Sequence, residues 1–270
     1  MTSFAIKIIA IIAMTLDHLA KIVGQRKFMS IIPGASYDDQ RIHIITYIIL
    51  NTMETIGRIA FPLFAFFIVE GTRKTRSLPK YIGRLFLFAL ISEPCYYFAF
   101  GATPTPSGFL RNLSRLHFTN VFFTLALGAA MIWVFELVEK KYPAKKWFID
   151  IPVLLLFMLI AGRIECDYFY FGILLIGALW FAGDKKKSQM IVMVTWSFII
   201  YILYFIDSSL NPYQLCYMIF NMISASMSAL LVWFYNGKRG PRLKWGFYIY
   251  YPAHIALILY LSSLITPIEV

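Results

Sequence analysis

The chain has 270 residues, 60% of them hydrophobic and 14% charged, with a net charge of +11. Its apolar residues fall in long runs, which excludes a water-soluble globular domain and also a β-barrel, whose spanning strands are much shorter. The basic excess sits in the short connections between runs, so it marks membrane orientation and not nucleic-acid binding.

In chain order, the runs predict spans at 4–23, 42–69, 80–100, 118–138, 148–162, 168–183, 189–206, 213–235 and 246–266. Crossing the hydrocarbon takes roughly 20 apolar residues, and lipid leaves no water for a loose backbone, so each run is helical. The expectation is an all-α polytopic transmembrane bundle of about nine helices, eight to ten because the fifth and sixth runs are short. No stretch between them is long enough to fold alone, so residues 1–270 read as one integral membrane domain. Asp17 and His18 interrupt the first run and no small-residue cleavage site follows, which argues for a retained helix and against a signal peptide.

The connections after the second, fourth, sixth and eighth spans carry Arg73, Lys74, Arg76 and Lys80; Lys140, Lys141, Lys145 and Lys146; Lys185 to Lys187; and Lys238, Arg239, Arg242 and Lys244. The other connections carry far fewer. The positive-inside rule therefore puts the N-terminus and these loops in the cytoplasm and the C-terminus outside, in a bacterial cytoplasmic membrane. Cys95, Cys166 and Cys216 have neither metal-ligand nor redox spacing and read as small packing residues, and no metal site is expected.

Ionisable residues inside a span are costly unless they face a cavity or a partner. The first helix has Asp17 and His18. The second has Glu54 and Arg58 before a break at Pro62, the third Arg84 and Glu93, the fourth His117 and Asn120, and the ninth Tyr250, Tyr251 and His254. His18, Glu93 and Asn120 fall at similar depth in the outer half, with Glu165 and Asp167 in the same polar layer; Glu70, Arg84, Lys238 and Arg239 stay near the cytoplasmic face. Lys7 and His18, 11 residues apart, lie on one helix face about 16 Å apart along the axis, close to the reach of a pantetheine arm. A purely structural ion network is the competing reading of these charges.

Five motifs in order carry a specific likeness: Met14-Thr15-x-Asp17-His18; Gly57-Arg58-x-Ala60-Phe61-Pro62; Tyr81-x-x-Arg84-Leu85 with Ser92-Glu93-Pro94; Asn120-x-x-Phe123-Thr124; and Tyr235-Asn236-Gly237-Lys238-Arg239-Gly240 leading to Tyr251-Pro252-x-His254. Together they resemble the TraX family. The resemblance implies a membrane-embedded transferase that takes an acetyl group from acetyl coenzyme A, and the family's namesake is associated with N-terminal acetylation of conjugative pilin. A more distant likeness to acyltransferase-three membrane enzymes rests on a cation, ten intervening residues and then a histidine in the first helix, Lys7 and His18 here.

The expected roles follow. His18 is the base, with a covalent acetyl-histidine as the other route; His254 is its competitor; Asp17 pairs with Arg58; Glu93 is the alternative orienting carboxylate; Asn120 or a tyrosine donates to the oxyanion. Lys7, Arg73, Arg84, Lys238, Arg239 and Tyr251 are the candidates for holding coenzyme A. The acceptor is an unknown amine or hydroxyl, on a protein N-terminus or a glycan, at or beyond the bilayer. The alternatives are a transporter or channel using the same intramembrane charges, and transfer of a longer acyl chain to lipid or glycan.

Overall fold

The computed structural model describes residues 1–34, 36, 39–101, 104–207, 212–241 and 243–266. Arg242, expected at the cytoplasmic face, lies outside them. Among the described residues the regular structure is entirely helical: α1 (Ser3–Ser30), α2 (Gln40–Gly57), α3 (Ala60–Lys74), α4 (Leu78–Phe100), α5 (Pro106–Ser114), α6 (Val121–Lys141), α7 (Lys146–Ile164), α8 (Phe169–Phe181), α9 (Lys186–Asp207), α10 (Pro212–Trp233) and α11 (Lys244–Ser263), with one 3₁₀ turn at Pro143–Lys145. α2 and α3 are halves of one predicted span, and α5 is a short helix beyond the third; the other units correspond to the predicted spans one for one. This is an all-α membrane bundle.

Among the described residues, five units are long and apolar enough by themselves to cross a membrane: Gln40–Lys74, Val121–Lys141, Pro143–Ile164, Lys186–Ile206 and Pro212–Trp233. The outside of the bundle is correspondingly greasy. Phe148 is 84% exposed, Ile206 72% and Leu159 71%, a surface that only lipid tolerates over so large an area.

Local chemistry sets the ends and breaks. Thr2 caps α1 by accepting from Ala5 N–H at 3.2 Å, and Gly24, with φ +66°, bends the same helix near its far end. Pro62 cannot donate to the carbonyl of Arg58 and its ring crowds that carbonyl, so the chain breaks between α2 and α3. There Arg58 N–H and Ile59 N–H donate instead to Thr55 O (3.1 Å) and Ile56 O (3.3 Å), tightening the turn. Thr105 caps α5 and Pro106 opens it.

α6 is central, packed against α3, α4, α7 and α8, while α1 lies against α2, α3 and α11, and α4 against α6 and α11. The core between them is filled by Leu63, Phe66, Met131, Ile132, Phe135, Ile173 and Leu179. One close approach fixes the partner of α1: a Cβ on Gly57 would stand 2.3 Å from Asp17 Cβ. Gly57→Ala is therefore expected to push α1 and α2 apart at a cost of about 1–3 kcal/mol, read as a lower thermal midpoint in detergent. An unchanged midpoint would remove the glycine from the account of this contact.

The connections sort onto two faces. Ser3 N–H donates to Lys238 O (2.9 Å), Phe4 N–H to Arg239 O (3.1 Å) and Asn236 N–H to Met1 O (2.9 Å). Lys74 donates to Gly237 O at 3.3 Å, and Lys186 donates to Tyr235 O. The N-terminus and the loops after α3, α8 and α10 thus meet on one face. On the other, Phe118 N–H reaches Ile164 O (2.9 Å) and Asp167 N–H reaches Thr119 O (3.1 Å).

Candidate functional site

α1 and α11 pack together, and this brings His18 and His254 into contact across 236 positions of sequence. His18 Nδ1 and His254 Nε2 are 2.8 Å apart, their rings nearly parallel at a 5° interplanar angle. Both residues are buried, at 8% and 5% exposure. His254 Nδ1 lies 2.8 Å from the carbonyl of Tyr250. A carbonyl can only accept, so His254 Nδ1 carries the proton and, in the neutral ring, Nε2 is the acceptor. His18 must then donate from Nδ1, which leaves its own Nε2 unprotonated and, among the described residues, without a hydrogen-bond partner. A backbone carbonyl, relayed through one imidazole, fixes the tautomer of the other.

Neighbouring groups hold the pair in register. Thr15 donates to Ile11 O (2.8 Å), so the Tyr250 hydroxyl, 2.7 Å away, donates to Thr15 Oγ1. That bond pins α11 to α1 one turn before the histidines. Tyr250 also stacks on His254 at 4.8 Å between ring centroids. Tyr251 and Phe100 flank His18 at 6.1 and 5.2 Å.

A cavity of about 910 Å³ opens on the face where the N-terminus and the loops after α3, α8 and α10 meet. Its mouth is rimmed by Lys74, Arg76, Lys80, Arg84 and Arg239, with Lys7 further in; its inner wall includes Met14, Phe122 and Tyr251. Met14 is one helical turn before His18 and Tyr251 packs on both histidines, so the inner wall of the cavity adjoins the pair, and neither histidine itself lines the cavity. Lys7 Nζ sits over the rings of Phe67 and Phe247 at 4.9 and 5.4 Å. Arg84 stacks beside Tyr81, and its Nε is buried without a hydrogen bond. Cations held by aromatic faces keep their hydrogen-bonding capacity for an incoming anion.

Other expected site residues are employed elsewhere. Asp17 pairs with Arg58 at 3.2 Å, as its position on the helix predicts, and also with Lys21 at 2.8 Å; Arg58 in turn approaches Glu54 at 3.6 Å, and Glu54 accepts from Tyr217 at 2.8 Å. This network ties α1, α2 and α10 together beside the histidines and makes no bond to either ring. Glu93 is not the orienting carboxylate. It accepts from Thr119 N–H (2.8 Å), Thr119 Oγ1 (3.0 Å), Asn120 N–H (3.2 Å) and Asn120 Nδ2 (2.6 Å), neutralising the start of α6.

Asn120 is likewise no free oxyanion donor: its amide also donates to Ala89 O (2.8 Å), and its Oδ1 caps Phe122 N–H (3.0 Å). Arg73 turns away from the cavity to the end of α8, donating to Gly183 O and Trp180 O at 3.1 Å and pairing with Asp184. Lys238 is exposed and outside the cavity wall, where Gly237 and Arg239 stand instead.

Glu93 and Asn120 therefore have a structural assignment with its own test. Glu93→Ala leaves several buried donors unmet, at about 1–3 kcal/mol each. The expected result is a large fall in thermal stability, and a variant as stable as the parent would contradict it.

Fold and site together describe an integral membrane protein with a buried histidine pair beyond a cation-rimmed cavity. Residues 3–262 match the family described as TraX protein, and the chain belongs to that family. It is also similar to a protein of Dichelobacter nodosus named "Probable fimbrial assembly protein FimC, serogroup H1", with 28% identity over 260 residues, 95% of this chain and 94% of that one. No solved structure matches at a significant level.

Proposed function

We propose that the protein is a membrane-embedded acetyltransferase that draws acetyl coenzyme A from the cytoplasm and passes its acetyl group to an acceptor at the membrane. The observation that carries this reading is the 910 Å³ cavity, with cations at its mouth and an inner wall of Met14 and Tyr251 that stands between it and the His18–His254 pair. Such a shape suits a long molecule with phosphates at one end and a reactive carbonyl at the other. Lys7, Arg84 and Arg239 would bind the phosphates, as basic groups meet anions in a partly desolvated site. The apolar wall of Phe64, Phe67, Phe122 and Met14 would line the arm. The positive-inside rule makes the face of the cavity mouth, with the N-terminus, the cytoplasmic one.

In this mechanism His18 Nε2 takes the proton from the acceptor N–H or O–H as that atom attacks the thioester carbonyl. The carbon–sulfur bond then breaks, the proton passes from His18 to the leaving thiolate, and acetylated acceptor and free coenzyme A result. While His18 is protonated, its Nδ1–H continues to donate to His254 Nε2, so the charge is shared with a ring anchored on the Tyr250 carbonyl. The Dichelobacter relative's name connects it with fimbrial assembly, which makes a subunit of a surface fibre one candidate acceptor for this chain.

Binding is the direct test. Millimolar acetyl coenzyme A is expected to raise the thermal midpoint of the purified protein, since a ligand that binds only the folded state stabilises it in proportion to ln(1 + [L]/Kd). Longer acyl forms should stabilise less, because the inner wall closes at Met14 and Tyr251. No shift with any coenzyme A form would favour the transporter reading and overturn this one.

A further inference from the structure

A second cavity, of about 350 Å³, lies on the opposite face of the bundle, between the end of α4, the helix α5 and the start of α6. Its wall includes Tyr96, Tyr97, Phe100, Arg111, Asn112 and Thr119. The size is at the small end of the range for ligand sites, roughly 300–1,000 Å³. Phe100 links it to the histidines: its ring packs on Tyr96 at 4.6 Å on one side and on His18 at 5.2 Å on the other. The histidine pair therefore lines neither cavity: Met14 and Tyr251 stand between it and the first, and Phe100 between it and the second.

The charge in this wall is unbalanced. Among the described residues, Arg111 is the one charged residue lining it and forms no ion pair. Thr119 spends its hydroxyl proton on Glu93 (3.0 Å), and the Glu93 carboxylate is in turn occupied by Thr119 and Asn120. Among the described residues no carboxylate lines the wall to receive an ammonium group. A guanidinium beside an amide and three aromatic faces is chemistry for an oxyanion on a small organic body.

We infer that the second cavity is the docking site of the acyl acceptor, that the acceptor carries an oxyanion held by Arg111, and that the Phe100 ring is the partition that turns aside to let its nucleophile reach His18. The inference rests on the proposed acetyl transfer for the word acceptor, while the site, its charge preference and its partition stand on geometry. The closed ring also keeps external water from the thioester until an acceptor fills the pocket.

The test is the accessibility of position 18 from that face. His18→Cys is made in a protein whose three native cysteines are serine, and right-side-out vesicles are treated with membrane-impermeant thiosulfonates bearing a sulfonate or a quaternary ammonium. The sulfonate reagent is expected to react several-fold faster. Phe100→Ala is expected to accelerate both at least tenfold, and Arg111→Glu to reverse the charge preference.

Asn112→Cys, in the wall itself, reads the Arg111 effect alone should the position-18 variant fail to fold. An unreactive thiol at position 18 in the Phe100→Ala background, or a charge preference at position 112 indifferent to Arg111→Glu, would overturn the inference. Protection of the position-18 thiol by acetyl coenzyme A sealed inside the same right-side-out vesicles is a separate arm: its absence sinks the acetyltransferase reading and leaves the outer site standing.

Discussion

His18→Ala is expected to lower acetyl transfer by about 10²–10⁴-fold, the range a positioned general base supplies, while acetyl coenzyme A still shifts the thermal midpoint. The reason is the tautomer. Of the two rings in the pair, His18 Nε2 is the nitrogen that the hydrogen bonds leave unprotonated and, among the described residues, unpartnered, and the alanine variant has no group to replace it. His254→Ala acts one step further out. It leaves the His18 Nδ1–H without its acceptor (2.8 Å in the parent), so the base loses its fixed tautomer and not its existence, and the loss is expected to be smaller.

His254→Gln separates the two roles, because the glutamine oxygen can accept from His18 Nδ1–H and so restores part of the activity that alanine loses. The measurement is coenzyme A release with a thiol reagent, on protein that elutes as the parent does. Full turnover in His18→Ala would remove the histidine from the mechanism. Equal loss in the alanine and glutamine variants at 254 would make His254 a second reacting group and not a positioning one.

Much of the architecture was readable in the residues, and the site only in part, for a physical reason. A span announces itself because lipid demands some 20 apolar residues in one run; hence even the short sixth span appears as α8. The Pro62 break was equally visible, since a proline acts on its own helix. Depth was readable in part, because it is a count of residues from a loop: Glu93 and Asn120 do lie at one level, bonded at 2.6 Å, while His18 packs on Phe100, seven residues further along α4. Azimuth was not. Whether Glu93 faces a histidine or the start of α6 depends on how α4 is rotated, which no count of residues gives.

The same limit hid the role of His254. Its bond to His18 joins residues 236 positions apart, and nothing in a lone histidine beside Tyr250, Tyr251 and Pro252 announces a second histidine as its partner. Thr15 is a signal that sequence reasoning passed over: a hydroxyl three residues before His18, on nearly the same face, is what a tyrosine from another helix needs to bond. Arg73 was misread for the opposite reason. Near the cytoplasmic end of a span, a cation that binds phosphate and one that caps a helix have the same depth and composition, and only the carbonyls of Trp180 and Gly183 tell them apart.

Reversing a charge within the first cavity is the change expected to act most strongly on substrate binding. Lys7→Glu puts a carboxylate into a pocket whose wall already contains Glu70, and Arg84→Ala removes a guanidinium whose Nε has no protein partner to satisfy. A hydrogen bond to a charged group contributes about 1.5–3 kcal/mol, and each ~1.4 kcal/mol is tenfold. KM for acetyl coenzyme A should therefore rise by about ten- to a hundredfold for Arg84→Ala and by more for Lys7→Glu, with kcat little changed, because neither group touches the reacting carbonyl.

Raising ionic strength should weaken donor binding in the parent and less so in either variant, since screening acts on the attraction the substitutions have already removed. Arg73→Ala is the matched control: it deletes a cation at similar depth that faces α8, so it should cost stability and leave KM alone. An Arg73 effect on KM equal to that of Arg84 would mean that the general positive field of this face, and not the cavity, gathers the donor.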